Sequence, residues 1–80
     1  MEYKFTISLN VKMDETDLAI MDIFQRFPAR HFHAHQIRAI LEYNGIEIST
    51  MKLVMKLQFF SYISLIRVEK GGRTMRYSLA

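Results

Sequence analysis

Apolar and polar side chains alternate along the start of the chain. Tyr3, Phe5, Ile7, Leu9, Val11 and Met13 fall on one face, and Glu2, Lys4, Thr6, Ser8, Asn10 and Lys12 on the other. A period of two predicts a half-buried strand. At about 3.3 Å per residue such a strand would reach roughly 40 Å, more than a small domain covers by itself. An uncovered apolar strand invites pairing. Residues 1–13 are therefore expected either to fold back as an edge strand or to form an arm through which two copies pair as a homodimer.

The pattern then changes to a helical period. Asp14 is an N-cap candidate, with Glu15 and Asp17 in the first turn, where the helix dipole favours negative charge. Ile20, Ile23, Phe24 and Phe27 recur on one helical face that Leu18 and Met21 widen, and Pro28 stops the helix near Arg26 or Phe27. After a short link, Ala29 to Phe32, a second helix is expected near 34–43. Its apolar positions are Ile37, Ile40 and Leu41, with Gln36 reaching back to His33 and Asn44-Gly45 closing the end. Ile46-Glu47-Ile48 is a tight connector. Ser49 caps a third helix, about 50–61, with Leu53, Leu57 and Phe60 as its buried stripe.

The C-terminus reads as a hairpin turning at Gly71-Gly72. Counting outward pairs Lys70 with Arg73, Glu69 with Thr74, Val68 with Met75, Arg67 with Arg76 and Ile66 with Tyr77. One face is then apolar (Ile66, Val68, Met75, Tyr77, Leu79) and the other polar. Two arginines directly opposite are unfavourable unless an anion lies between them.

Composition narrows the possibilities. Eighty residues, half of them hydrophobic and 24% charged, describe one globular domain. Without cysteine, disulfides, thiolate metal sites and cysteine nucleophiles are excluded. No apolar run approaches the roughly 20 residues of a membrane span. Met1-Glu2-Tyr3-Lys4 does not begin a secretory signal, so a cytoplasmic location is expected. The net charge of +3 is unevenly placed. Residues 1–22 hold two basic and five acidic side chains, residues 23–80 nine and three, and residues 50–80 six and one. This asymmetry points the C-terminal half toward a polyanion.

Strand, helix, helix, tight turn, helix and hairpin, in that order, form an α+β winged helix-turn-helix: three helices and a C-terminal wing, with an extra N-terminal strand. Residues 14–80 would be the winged domain. Helix 50–61 can enter a DNA major groove, while the basic hairpin, 65–79, grips flanking phosphates. The run Ile48-Ser49-Thr50-Met51-Lys52-Leu53 through Leu57, then Leu65-Ile66-Arg67-Val68 and Gly71-Gly72-Arg73-Thr74-Met75-Arg76-Tyr77-Ser78-Leu79, resembles winged helix-turn-helix domains. It is most similar to the N-terminal DNA-binding domain of the ferric uptake regulator family, over about residues 15–80. The resemblance implies a double-stranded DNA-binding transcription regulator. The family's metal-binding dimerisation domain has no counterpart in these 80 residues, so metal sensing is not implied. Ser64 stands where a turn glycine is usual, and Val54 and Met55 where a base-contacting tyrosine and arginine are usual. The expected DNA contacts are Thr50, Met51 and Lys52 on bases, and Lys52, Lys56, Arg67, Arg73 and Arg76 on phosphates.

The alternative is a winged-helix protein–protein module, a regulatory subunit or a viral or phage inhibitor, favoured by Val54, Met55 and the long apolar strand. RNA binding ranks below both, for want of stacking aromatics on a sheet face. His31, His33 and His35 would share a face of an extended strand and suggest a metal site. However, a helix starting near 34 would turn His35 away, and no carboxylate or cysteine lies close enough in sequence to complete a shell. No metal or other cofactor is expected. No catalytic motif is present: the acidic cluster is explained by capping, Ser49 by the same, and Gly71-Gly72 by the turn.

Overall fold

The computed structural model describes residues 12–80. The strand and arm expected over residues 1–13 fall almost entirely outside that range. Lys12 to Asp14 are without regular secondary structure, and Met13 packs against the core.

Helix α1 (Glu15–Arg26) begins at a reciprocal capping box. The Asp14 carboxylate accepts from the Asp17 N–H at 2.8 Å, and the Asp17 carboxylate accepts from the Asp14 N–H at 2.9 Å. Two otherwise orphaned backbone donors are thereby satisfied. The helix ends at Arg26, one residue before Phe27 and two before Pro28. Helix α2 (Ala34–Tyr43) has half of such a box: Gln36 Oε1 accepts from the His33 N–H at 2.8 Å. Helix α3 (Thr50–Tyr62) is capped by Ser49, whose Oγ accepts from the Lys52 N–H at 3.1 Å.

Both α2 and α3 close in the same way. Beyond α2, Gly45 takes φ +84°, with Gly45 N–H donating to Glu42 O and Ile46 N–H to Leu41 O. Only Gly45 of the expected Asn44-Gly45 pair is left-handed; Asn44 keeps a negative φ and donates from its side chain to Ile40 O. Beyond α3, Ser64 N–H donates to Ser61 O and Leu65 N–H to Phe60 O, and Ser64 adopts φ +66°. These are paired Schellman closures. The second is made by a serine where the geometry prefers glycine.

The core gathers one stripe from each helix: Ile20, Ile23 and Phe24 of α1, Ile37 and Leu41 of α2, Leu53, Leu57 and Phe60 of α3. Phe32, Ile66 and Tyr77 complete it, with Phe24 and Phe32 edge-to-face at 5.7 Å. The expected stripes hold at α2 and α3. At α1, Leu18 and Phe27 are exposed, because the neighbouring elements cover a narrower arc than the apolar pattern spans.

Strands β1 (Ile66–Gly71) and β2 (Thr74–Leu79) pair antiparallel, with Gly71 opposite Thr74, Glu69 opposite Arg76 and Arg67 opposite Ser78. The two-residue turn is therefore Gly72-Arg73, not Gly71-Gly72. Gly72 alone carries a positive φ (+68°), the pattern of a turn with glycine at its first central position. Moving the turn by one residue displaces every cross-strand partner by two. The faces survive, and the opposed pair of arginines is replaced by Arg76 facing Glu69. One further contact was not expected: Phe32 bridges to Tyr77, with Phe32 N–H donating to Tyr77 O at 2.8 Å and Tyr77 N–H to Phe32 O at 2.7 Å. The link between α1 and α2 thus adds a one-residue third strand to the hairpin and anchors its base.

Candidate nucleic-acid interface

The residues expected to contact DNA lie on two elements, α3 and the hairpin. At the start of α3, Thr50, Met51 and Lys52 are all exposed. Ser49 satisfies the Lys52 N–H, leaving the Lys52 ammonium without an ion pair among the described residues. Arg38, one helix earlier, reaches across the turn: Nε donates to Ile48 O at 2.9 Å and Nη1 to Thr50 Oγ1 at 3.2 Å. Nothing in the periodicity of α2 singles Arg38 out. Its role arises only when α2 and α3 are brought together.

Lys56 is placed elsewhere. Its Nζ lies 2.6 Å from Asp17 and 3.2 Å from Asp14, and its side chain is only 20% exposed. The hydrogen bond to Asp17 holds the ammonium above its ordinary pKa. The Asp17 backbone N–H and Lys56 together hold the Asp14 carboxyl below its ordinary range. Lys56 therefore fastens α3 to the start of α1 and is not presented with the other cations.

The remainder of the outward side of α3 is largely apolar. Met51, Met55, Phe59 and Tyr62 are between 39% and 85% exposed. Their spacing of four, four and three residues makes one continuous stripe. The exposed cation of α3 is thus Lys52 in its N-terminal turn, and Gln58 is the exposed polar side chain further along.

In the hairpin, Ile66 and Tyr77 are buried, and Val68 and Leu79 pack against the core. Beyond them, the Lys70–Met75 pair and the turn stand clear of it. Lys70 and Met75 share the apolar side of the sheet, yet both are exposed because the hairpin is longer than the core beneath it. That overhang makes it a wing. Arg67, Lys70 and Arg73 are exposed and make no ion pair among the described residues. Arg76 reaches Glu69 at 3.5 Å and folds over Gly71, where an added Cβ would lie 3.1 Å from Arg76 Nε. Glu69 also has His31 Nδ1 at 3.8 Å.

The histidines join the α1–α2 link to the wing. His33 Nδ1 is 3.1 Å from Met75 O, and His35 stacks on His33 with ring centroids 5.7 Å apart and planes within 6°. His35 is therefore not turned away from His33, since the first helical turn brings both rings to one side. Among the described residues, no cluster of histidine and carboxylate side chains has the geometry to hold a metal ion.

No protein-family model and no curated protein sequence matches this chain. Solved structures do. The ferric uptake regulator of Francisella tularensis, solved with iron, matches 86% of this chain with a TM-score of 0.79 and 17% identity. The Vibrio cholerae ferric uptake regulator matches all of it, with a TM-score of 0.81 and 17% identity. RosR of H. salinarum matches 86% of it, with a TM-score of 0.70 and 18% identity. This chain spans 53% of the Francisella chain and 62% of each of the other two. Its three helices and antiparallel hairpin have the winged-helix fold seen in these regulators.

Proposed function

We propose that this chain binds double-stranded DNA as a transcription regulator. In this reading the first turn of α3 enters the major groove and the wing lies on flanking phosphates. The observation that carries it is the pairing of an exposed, capped helix start with an overhanging wing bearing Arg67, Lys70 and Arg73. A helix presented by its N-terminal residues is how helix-turn-helix proteins meet base edges, and flanking cations fix register on phosphates. The structure of the Vibrio regulator is described in terms of its DNA-binding domains, which supports the same use of the shared fold here. Thr50, Met51 and Lys52 are the proposed base contacts, and Arg67 and Arg73 the phosphate contacts, with Arg76 joining them by exchanging Glu69 for a phosphate. Lys56 contributes by holding α3 in place. Pairing through the N-terminal arm would supply the second half-site of a homodimer. The protein would act in the cytoplasm, without catalysis or a cofactor.

The test is titration of a labelled 20-bp duplex by fluorescence anisotropy at several salt concentrations. With about four phosphates neutralised, affinity should fall roughly 100-fold between 50 and 200 mM salt. Lys52→Glu and Arg73→Glu should each weaken binding and flatten that dependence. If both leave the titration unchanged, DNA is not the partner.

The exposed stripe of Met51, Met55, Phe59 and Tyr62 favours a second reading, a protein–protein module. Wild-type protein that ignores duplex DNA at low salt, and self-associates in light scattering unless Met55 is changed to Lys, would support this reading over DNA binding.

A further inference from the structure

A cation on α2 is bonded to the start of α3. Arg38 spends two of its five N–H donors inside the protein, one on Ile48 O at the end of the connector and one on Thr50 Oγ1. Three donors remain without a protein acceptor among the described residues. The side chain is exposed. Glu42 and Glu47 line the same hollow, of about 420 Å³, yet neither is ion-paired with Arg38. An exposed guanidinium whose orientation is already fixed by two hydrogen bonds loses little freedom when it takes a further acceptor. Its planar fork suits a phosphate oxygen.

We propose that Arg38 is the anchor of the interface: it takes a backbone phosphate with its remaining N–H groups while holding Thr50 and the connector. This rests on the DNA-binding reading. One side chain then couples the phosphate contact that positions the protein to the residue that faces the bases. The bond to Thr50 has a chemical consequence. The Arg38 N–H takes one of the two lone pairs on Oγ1, which leaves the hydroxyl proton and the second lone pair. Thr50 therefore retains a donor for purine N7, guanine O6 or thymine O4, and one acceptor position for the amino group of cytosine or adenine.

Three substitutions, singly and with two of them combined, test this in the same anisotropy titration. Arg38→Gln should lose roughly tenfold or more in affinity and reduce the slope of log K against log salt by about 0.9, the value of one phosphate. Arg38→Lys keeps the charge and loses the fork, so it should retain the slope while binding more weakly. Adding Thr50→Val should cost less in the Arg38→Gln background than in wild type, because the two residues act together. A merely structural role for Arg38 would lower the melting temperature and leave the slope unchanged. An unchanged Arg38→Gln slope, with Lys52→Glu still weakening binding, overturns this proposal and leaves DNA binding standing. Wild-type protein that binds no duplex overturns both.

Discussion

At the scale of single residues, the helix boundaries were written in short polar side chains, and their strength can be measured one at a time. Ser49 spends its Oγ on the Lys52 N–H, so Ser49→Ala should cost about 1 kcal/mol in urea unfolding. Ser64 lies at φ +66°, where a side chain costs about 1 kcal/mol or slightly more. Glycine relieves that strain, although its freedom in the unfolded chain offsets part of the gain. Ser64→Gly should therefore stabilise by roughly 0.5 kcal/mol and raise the melting temperature. Lys56 illustrates what residue identity leaves open. In the sequence it is a lysine on the third helix beside Lys52, a natural phosphate ligand. In the fold it closes an ion-paired triad with Asp14 and Asp17. Lys56→Met should cost about 1–2 kcal/mol, by leaving the buried Asp17 carboxylate without its cation.

At the scale of elements, helix existence and packing faces followed from the 3.6-residue period, and the leucines of α3 are buried where their spacing places them. The hairpin tested the limits of local reasoning. Alternation specified which residues share a face, and that reading holds. It could not distinguish a turn at Gly71-Gly72 from one at Gly72-Arg73, since both leave the faces intact. Charge across the strands separates them: the observed register puts Arg76 opposite Glu69 and relieves Arg67 of a like neighbour. Because only Gly72 carries a positive φ, Gly72→Val should disorder the wing tip. Gly71→Ala should instead push Arg76 off its seat while the turn survives. Cross-strand proton contacts between Glu69 and Arg76 would report both outcomes. The Phe32–Tyr77 bridge was invisible for a different reason. A one-residue strand has no period.

At the scale of the whole molecule, the triad links the first helix to the third and makes stability depend on pH at both ends. Asp14 has its pKa lowered on folding, so its contribution is complete above the unfolded value of about 3.9 and fades as pH falls through the folded value. Lys56 has its pKa raised, so its contribution is complete below about 10.4 and fades as pH rises through the folded value. Thermal melts should show a plateau between these limits with a loss on each side, and Lys56→Met should reduce the alkaline loss to the part set by the Tyr77 phenol, whose pKa burial raises. Function depends on the same assembly. By itself the sequence determined the helices, their caps, the core stripes of α2 and α3 and the concentration of positive charge after residue 50, because each of these depends on residue type and short spacing. Only the tertiary structure decided which cations remain free. Lys56 is drawn into an ion pair 39 residues away along the chain, Arg76 is turned toward Glu69, and Arg38 is brought to the start of α3. The reason is physical: a charged side chain's availability depends on what lies within a few ångströms of it, and those neighbours come from other elements.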